Sequence, residues 1–150
     1  MVTLVLGGAR SGKSAVAESL AAAMAPPVTY VATGQTTDPG MAARIAAHRA
    51  RRPPWWATVE VGADLPAVLG ALEGSALVES LGTWLAATPE RGGDGGGGRG
   101  EALCAALSGR RGDTVVVSEE VGLGVHPPTE VGRRFADRLG LLNQQVAAIA

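Results

Sequence analysis

The segment GGARSGKS, residues 7–14, constrains the fold of this chain more than any other part of the sequence. It matches the pattern G-x-x-x-x-G-K-[ST], in which the backbone N–H groups of a glycine-rich loop face phosphate oxygens. VTLVL, an apolar and β-branched run, precedes it, and KSAVAESLAAAM, a run of helix formers, follows it. Strand, loop and helix in this order predict a phosphate-binding loop at the edge of a parallel sheet.

Of the 13 lysine and arginine residues, one is a lysine, and this Lys13 lies inside the loop. A compact ammonium on a flexible stem can reach between terminal phosphates, where a planar guanidinium is too large. We therefore predict that Lys13 is catalytic, that Ser14 ligates Mg²⁺, and that the loop binds the phosphates of a nucleotide. The predicted phosphate-binding residues are Gly7, Gly8, Ala9, Arg10, Ser11, Gly12, Lys13 and Ser14.

Further apolar runs predict the strands VTYVA (28–32), ATVEV (57–61), SALVE (75–79) and DTVVVS (113–118). Segments rich in alanine, leucine and arginine separate them. This alternation is typical of an α/β fold with a mostly parallel sheet and helices on both faces. At 150 residues, the chain is predicted to form a single P-loop NTPase-like domain, 1–150.

Two segments near the C-terminus complete the predicted organisation. Residues 88–100 contain seven glycines and predict a flexible surface loop before a short helix at 101–107. A longer helix is predicted from about Glu130. Its apolar face predicts core contacts from Val131, Phe135, Leu139, Leu142 and Val146.

Ligands of parallel α/β sheets bind at the carboxyl ends of the strands, so polar residues there are site candidates. They are Thr33, Gly34, Gln35, Glu60, Glu79, Glu119 and Glu120. Glu79 follows the apolar run ALV, where the acid of a magnesium-dependent nucleotide site belongs, and we predict that it ligates Mg²⁺ together with Ser14. For each glutamate taken singly, and for Glu119 above all, a plain surface role stays open.

A basic segment, RIAAHRARRPPWW (44–56), places His48 among arginines. Helical spacing from Pro39 to Arg52 brings His48 and several arginines to one face. Nearby positive charge favours a neutral imidazole, which has the free lone pair of a nucleophile, while the arginines can grip phosphate oxygens. A solvated basic face is the alternative. Trp55 and Trp56 are predicted to pack rather than to bind a ligand.

Composition limits the possible partners. A net charge of −1 gives no overall attraction to nucleic acid or to a membrane surface, and no apolar run approaches the length of a membrane span. Small molecules are therefore the expected partners. The N-terminus has no basic leader, which predicts a cytoplasmic protein. Cys104 is expected to be a small apolar residue in a helix.

Several segments together resemble the bifunctional adenosylcobinamide kinase / adenosylcobinamide-phosphate guanylyltransferase family of cobalamin assembly. They are GGARSGKS, YVATGQ, MAARIAAHRARRPPWWATVE, LVESLGTWL, VVSEEVGLGVHP and RRFADRLGLLNQ, in the order and spacing of that family. The resemblance implies that a nucleoside triphosphate phosphorylates the aminopropanol hydroxyl of adenosylcobinamide. It further implies that GTP guanylylates a histidine, which matches His48, and that the GMP then passes to adenosylcobinamide phosphate to give adenosylcobinamide-GDP.

The same resemblance implies Mg²⁺ with GTP or ATP, a homotrimer, and guanine-nucleotide contacts from Thr33, Arg49, Arg51, Arg52, Glu60 and Glu79. The sequence also departs from the family pattern. Gly82 stands where a threonine is usual, Glu119 where an asparagine is common, and His126 in an aliphatic place that predicts a structural role. The chain also ends before the last strand expected of the family.

Two other functions stay open on the sequence. One is a single-function small-molecule kinase in which His48 only binds phosphate. The other is a nucleotide-binding regulatory module without turnover. We prefer the bifunctional enzyme, because neither alternative explains a neutral histidine on a face of arginines.

Overall fold

A computed structural model describes residues 1–34, 46, 49–50, 52–88, 97–124 and 127–150. Within these residues, five strands form one sheet: β1 (Val2–Gly7), β2 (Val28–Ala32), β3 (Ala57–Glu60), β4 (Ser75–Glu79) and β5 (Thr114–Glu119). Their order is β1-β5-β4-β2-β3, and every neighbouring pair is parallel. Each predicted strand agrees with the observed one to within one residue at either end. The predicted α/β class with a parallel sheet is confirmed.

The described helices are α1 (Lys13–Ala22), α2 (Leu65–Ala71), α3 (Leu81–Ala87), α4 (Gly97–Gly109) and α5 (Glu130–Ala147). Alternate residues of β4 belong to different core clusters: Leu77 packs with Ala17 of α1, whereas Val78 packs with Leu65 of α2 and Trp84 of α3. Because successive side chains of a strand point to opposite faces, helices cover both faces of the sheet. None of the helices in the described part of the chain is long and apolar enough to span a membrane.

Helix α4 begins earlier than the sequence predicts. Residues 97–100 are helical, so the predicted loop at 88–100 is wrong for these four residues; residues 89–96 lie outside the described part of the chain. A Cβ at Gly100 would overlap the Gln145 side chain of α5. Glycine at position 100 leaves room for the end of this side chain, although its helix propensity is poorer than that of alanine by about 1 kcal/mol.

Helix α5 presents most of the predicted apolar face to the core. Leu139, Leu142 and Val146 are buried, and Phe135 packs against the same cluster. The prediction is wrong for Val131, which is 78% exposed. The first turn is held by polar contacts instead of core packing, since Arg133 Nη1 donates to the carbonyls of two prolines in the preceding loop, at 3.0 and 3.2 Å.

The two tryptophans before β3 behave differently. Trp56 is 8% exposed and packs in the α1-side core, as predicted, whereas Trp55 is 77% exposed, so that part of the prediction is wrong. Trp55 lies in the turn that precedes β3, outside the strand itself. Cys104 is half-buried in α4, as expected, and burial raises the pKa of its thiol.

Candidate active site

The loop between β1 and α1 has the backbone that its sequence pattern requires. Gly12 has a φ of 88° and occupies the N-cap position of α1, so no side-chain oxygen of the cap competes for the first N–H groups of the helix. A Cβ at Gly7 would overlap the Ser11 hydroxyl. Arg10 also adopts a left-handed conformation, with a φ of 57°. The turn therefore directs the N-terminus of α1 toward the edge of the sheet, an arrangement that favours anions.

Lys13, Ser14 and Glu79 come together at this edge. Lys13 Nζ donates to the carbonyl of Gly8 at 3.4 Å, which keeps the ammonium folded over the loop. Ser14 Oγ donates to Oε1 of Glu79, the last residue of β4. The pair combines a hydroxyl and a carboxylate oxygen, both ligand types that suit Mg²⁺.

Strand register brings a second carboxylate to the same face. Ala32 of β2 lies opposite Glu60 of β3 on one side and opposite Glu79 of β4 on the other. Residues that lie opposite each other in neighbouring strands share a face of the sheet, so both glutamates flank Ala32 on the α1 side. Two strand-end acids that are distant in sequence thus belong to a single site.

A cleft opens at this edge and brings together seven of the predicted site residues. Those that line it are Lys13, Ser14, Gly34, Arg49, Arg52, Glu60 and Glu79. Tyr30, Thr58, Ser80 and Thr83 also line it, although the sequence did not identify them, and so does the strand-end candidate Glu119. His48, Gln35, Arg51 and His126 lie outside the described residues.

Thr33 lies behind the wall of the cleft. It is fully buried, and its backbone N–H donates to the carbonyl of Glu79 at 3.0 Å. Its hydroxyl donates to the carbonyl of Ser80 at 2.7 Å and accepts from the Ser80 N–H at 2.6 Å. These contacts fix the end of β4 and hence the backbone that carries Glu79.

A polar network joins β5 to the start of α3. Ser80 Oγ donates to Oε1 of Glu119 at 2.7 Å, and the N–H of Gly82 donates to Oε2 at 3.0 Å. Ser80 and Thr83 form a capping box at the N-terminus of α3. Gly82 and Glu119, two of the departures from the family pattern, are therefore in direct contact, and a Cβ at position 82 would overlap the Glu119 carboxylate.

This contact predicts the effect of Gly82→Ala. Alanine has the better helix propensity by up to about 1 kcal/mol, but the overlap must displace a carboxylate that holds two hydrogen bonds. We expect a net loss of about 1–3 kcal/mol in the free energy of unfolding, measured by urea denaturation. The shorter side chain of Glu119→Asn should relieve the overlap, so the double variant should be more stable than Gly82→Ala alone. Simple addition of the two single losses would contradict the pairing.

Tyr30 is the most strongly perturbed group of the site. Burial, followed by the negative charge of Glu79, raises the pKa of its hydroxyl above the ordinary value, although Arg52 opposes the shift. The hydroxyl is therefore protonated at neutral pH. In this form it can act only as a neutral hydrogen-bond donor or acceptor beside Glu79, with which it lines the cleft.

Asn143, which belongs to the segment RRFADRLGLLNQ, has a structural role. Its Nδ2 donates to the carbonyl of Glu119 at 3.1 Å, and the side chain is 9% exposed. The bond fastens α5 to the carboxyl end of β5. Asn143 therefore supports the site through the backbone of Glu119.

A glycine-rich loop between a parallel strand and a helix, a lysine folded over it and a Ser14–Glu79 pair at a strand end define a P-loop nucleotide-binding protein. Sequence comparison refines this class. Residues 3–150 match the family described as cobinamide kinase / cobinamide phosphate guanyltransferase, and the chain belongs to that family.

Relatives from three organisms agree with this assignment. The chain is 44% identical to the bifunctional adenosylcobalamin biosynthesis protein CobP of Pseudomonas aeruginosa, over 98% of the chain and 87% of the relative. It is 36% identical to the bifunctional adenosylcobalamin biosynthesis proteins CobU of Salmonella typhimurium and of Escherichia coli, over 100% of the chain and 92% of each relative. The prediction of a bifunctional kinase and guanylyltransferase of cobalamin biosynthesis is confirmed.

Proposed function

We propose that the cleft at the carboxyl edge of the sheet is the place where both reactions of the family occur in this chain. The observation that supports this most directly is that Lys13 and Ser14, from the phosphate loop, and Arg49 and Arg52, from the basic segment, line the same cleft. Phosphate-binding groups thus face it from two sides. A nucleoside triphosphate would be held between them.

In the kinase reaction, the hydroxyl oxygen of adenosylcobinamide attacks the γ-phosphorus of the nucleotide. The bond to the bridging oxygen breaks, the nucleoside diphosphate leaves with the electron pair, and the hydroxyl proton is released. Backbone N–H groups from Gly8 to Ser14 would hold the phosphates, and Lys13 would offset the charge that develops on them. ATP and GTP both fit this part of the proposal.

Ser14 and Glu79 are the residues that would hold Mg²⁺. Their oxygens are already adjacent, since Ser14 Oγ donates to Glu79 Oε1. When bound with the nucleotide, the ion would neutralise oxygens of the terminal phosphates. Glu79 would fix the orientation of the Ser14 hydroxyl beside the loop.

If Glu79 has this role, Glu79→Gln should raise the Mg²⁺ concentration for half-maximal kinase rate about tenfold or more, because one unit of negative charge is lost from the ligand pair. The KM for adenosylcobinamide should change little. Glu73→Gln, which removes the same charge from an exposed residue at the other end of β4, is the control. A Mg²⁺ titration that is the same for both variants would remove Glu79 from the ion site.

In the guanylyltransferase reaction, His48 would act as the nucleophile. A ring nitrogen attacks the α-phosphorus of GTP, the bond to the β-phosphate bridging oxygen breaks, and pyrophosphate leaves. A phosphate oxygen of adenosylcobinamide phosphate then attacks the same phosphorus and releases the imidazole. Arg49, Arg51 and Arg52 would bind the phosphates of GTP, and Gly34, Gln35 and Glu60 would contact the nucleotide. Thr33 would act from behind the wall of the cleft, by holding the end of β4.

The test of this proposal is incubation of the protein with GTP labelled at the α-phosphate, followed by a denaturing gel. Label should stay on the protein, be released by acid and resist alkali, as expected of a phosphoramidate. An unlabelled protein that still phosphorylates adenosylcobinamide would instead be a single-function kinase. Absence of both activities would favour the regulatory module.

We also propose that the chain acts in the cytoplasm, where nucleoside triphosphates are available, and that it forms a homo-oligomer, a trimer by analogy with the family. Its partners would be the small-molecule substrates GTP, ATP and adenosylcobinamide. Light scattering of the purified protein tests the oligomeric state directly.

A further inference from the structure

Tyr30, on β2, connects the two sides of the cleft. Its side chain is 5% exposed and belongs to the core cluster under α1. On one side, it lines the cleft together with Glu79, the carboxylate that accepts from Ser14 and whose charge helps to raise the pKa of the Tyr30 hydroxyl. On the other side, the guanidinium carbon of Arg52 lies 3.4 Å from the centroid of its ring. One rigid side chain thus contacts both the phosphate-loop side and the arginine side.

The sheet register gives Arg52 a second contact at the same place. Tyr30 lies opposite Thr58 of β3, and Arg52 Nη1 donates to the Thr58 hydroxyl at 3.4 Å. Because opposite residues share a face, the ring and the hydroxyl offer the guanidinium two adjacent contacts. An arginine side chain has a long flexible stem, and a stacked, hydrogen-bonded guanidinium keeps fewer of its conformations.

Arg52 is four residues from His48 in the sequence, and Arg49, the residue next to His48, lines the same cleft. On the basis of the proposed guanylyl transfer, we propose that Tyr30 is a positioning residue whose ring seats Arg52. The contacts of Arg52 with the Tyr30 ring and the Thr58 hydroxyl would fix the C-terminal end of the segment that carries His48 at the wall of the cleft. The ring then matters for attack on the α-phosphorus of GTP, whereas phosphoryl transfer to a hydroxyl depends on Lys13 and Ser14.

Two substitutions separate the ring of Tyr30 from its hydroxyl. Tyr30→Leu removes the stacking surface, and the rate of protein labelling at saturating α-labelled GTP should fall about tenfold, as expected for the loss of a partly buried cation–π contact. Its kinase kcat should fall by a clearly smaller factor than its labelling rate, and an equal fall in the two rates would contradict the proposed role. Tyr30→Phe keeps the ring, so its labelling rate should stay within about threefold of the original.

Val28→Ala is the matched control for core damage. Val28 lies on the same strand and in the same cluster, two positions further from the cleft. Thermal unfolding of all three variants shows how much stability each has lost. If Val28→Ala slows labelling as much as Tyr30→Leu does, or if Tyr30→Phe is as slow as Tyr30→Leu, the positioning role is overturned.

A double-mutant cycle tests whether the ring acts through Arg52. In Arg52→Ala, the Tyr30 ring has lost the guanidinium that it contacts, so removal of the ring should not slow labelling further. The double variant Tyr30→Leu/Arg52→Ala should therefore label no more slowly than Arg52→Ala alone. If the two single effects multiply instead, the ring does not act through Arg52. A lack of label on the unsubstituted protein would overturn the guanylyl-transfer proposal and this one together, whereas a labelled protein with either contrary result overturns only the role of Tyr30.

Discussion

Replacing Lys13 with alanine is expected to lower the rate of adenosylcobinamide phosphorylation about a thousandfold. The loop pattern and the fold together position this ammonium over the phosphate loop, where it donates to the carbonyl of Gly8. Negative charge on the transferring phosphoryl group would lose its nearest positive partner. The side chain is only half-buried and does not belong to either core cluster, so the free energy of unfolding should change little. Steady-state kinase assays and urea denaturation measure the two quantities.

Lys13→Arg is the informative companion, because the charge is kept while its shape changes. A planar guanidinium is larger than an ammonium and directs its donors in a fixed fork, so we expect it to recover less than about one tenth of the lost rate. Full activity of Lys13→Arg would mean that charge alone is needed at this position. Kinase activity of Lys13→Ala near the original level would mean that residues 7–14 are not the phosphate site.

The phosphate loop and the strands could be predicted because their determinants are local. The spacing of Gly7, Gly12 and Lys13 describes one turn of backbone, and a run such as VTYVA needs no distant residue to identify it as a buried strand. The strand-end rule then located Glu60 and Glu79 without knowledge of the strand order. That these two acids flank Ala32 on one face depends on the order β4-β2-β3, which no local pattern in the sequence specifies.

The hydroxyl network could not be predicted for the same reason. Thr33 bonds to Ser80 across 47 residues, and Ser80 bonds to Glu119 across 39. In the sequence, Gly82 and Glu119 are two unrelated departures from a family pattern, whereas in the fold they are halves of one contact. Tyr30 was missed because a tyrosine inside a β-branched run is the normal composition of a buried strand, and only the tertiary structure adds Arg52 and Glu79 to its surroundings.

In His48→Ala, labelling of the protein by α-labelled GTP and formation of adenosylcobinamide-GDP should both fall to background. A histidine nucleophile forms an N–P bond that remains reactive, since imidazole is a good leaving group when the acceptor phosphate arrives. Transfer through His48 is therefore reasonable for GMP, but it is superfluous for moving a γ-phosphoryl group directly to an alcohol. Phosphorylation of adenosylcobinamide should accordingly survive, reduced by no more than about tenfold, because residues 7–14 are untouched.

The sequence supplies a matched control for this variant, because the chain has two histidines and the second, His126, is predicted to be structural. His126→Ala should keep both the label and the product, since removal of an imidazole elsewhere leaves the nucleophile in place. Labelling by GTP is measured on denaturing gels. The kinase product is measured in a separate reaction that contains adenosylcobinamide and ATP but no GTP. If His48→Ala still takes up label and His126→Ala does not, the nucleophile is His126, and the arginines around His48 are a solvated basic face rather than part of the transfer site.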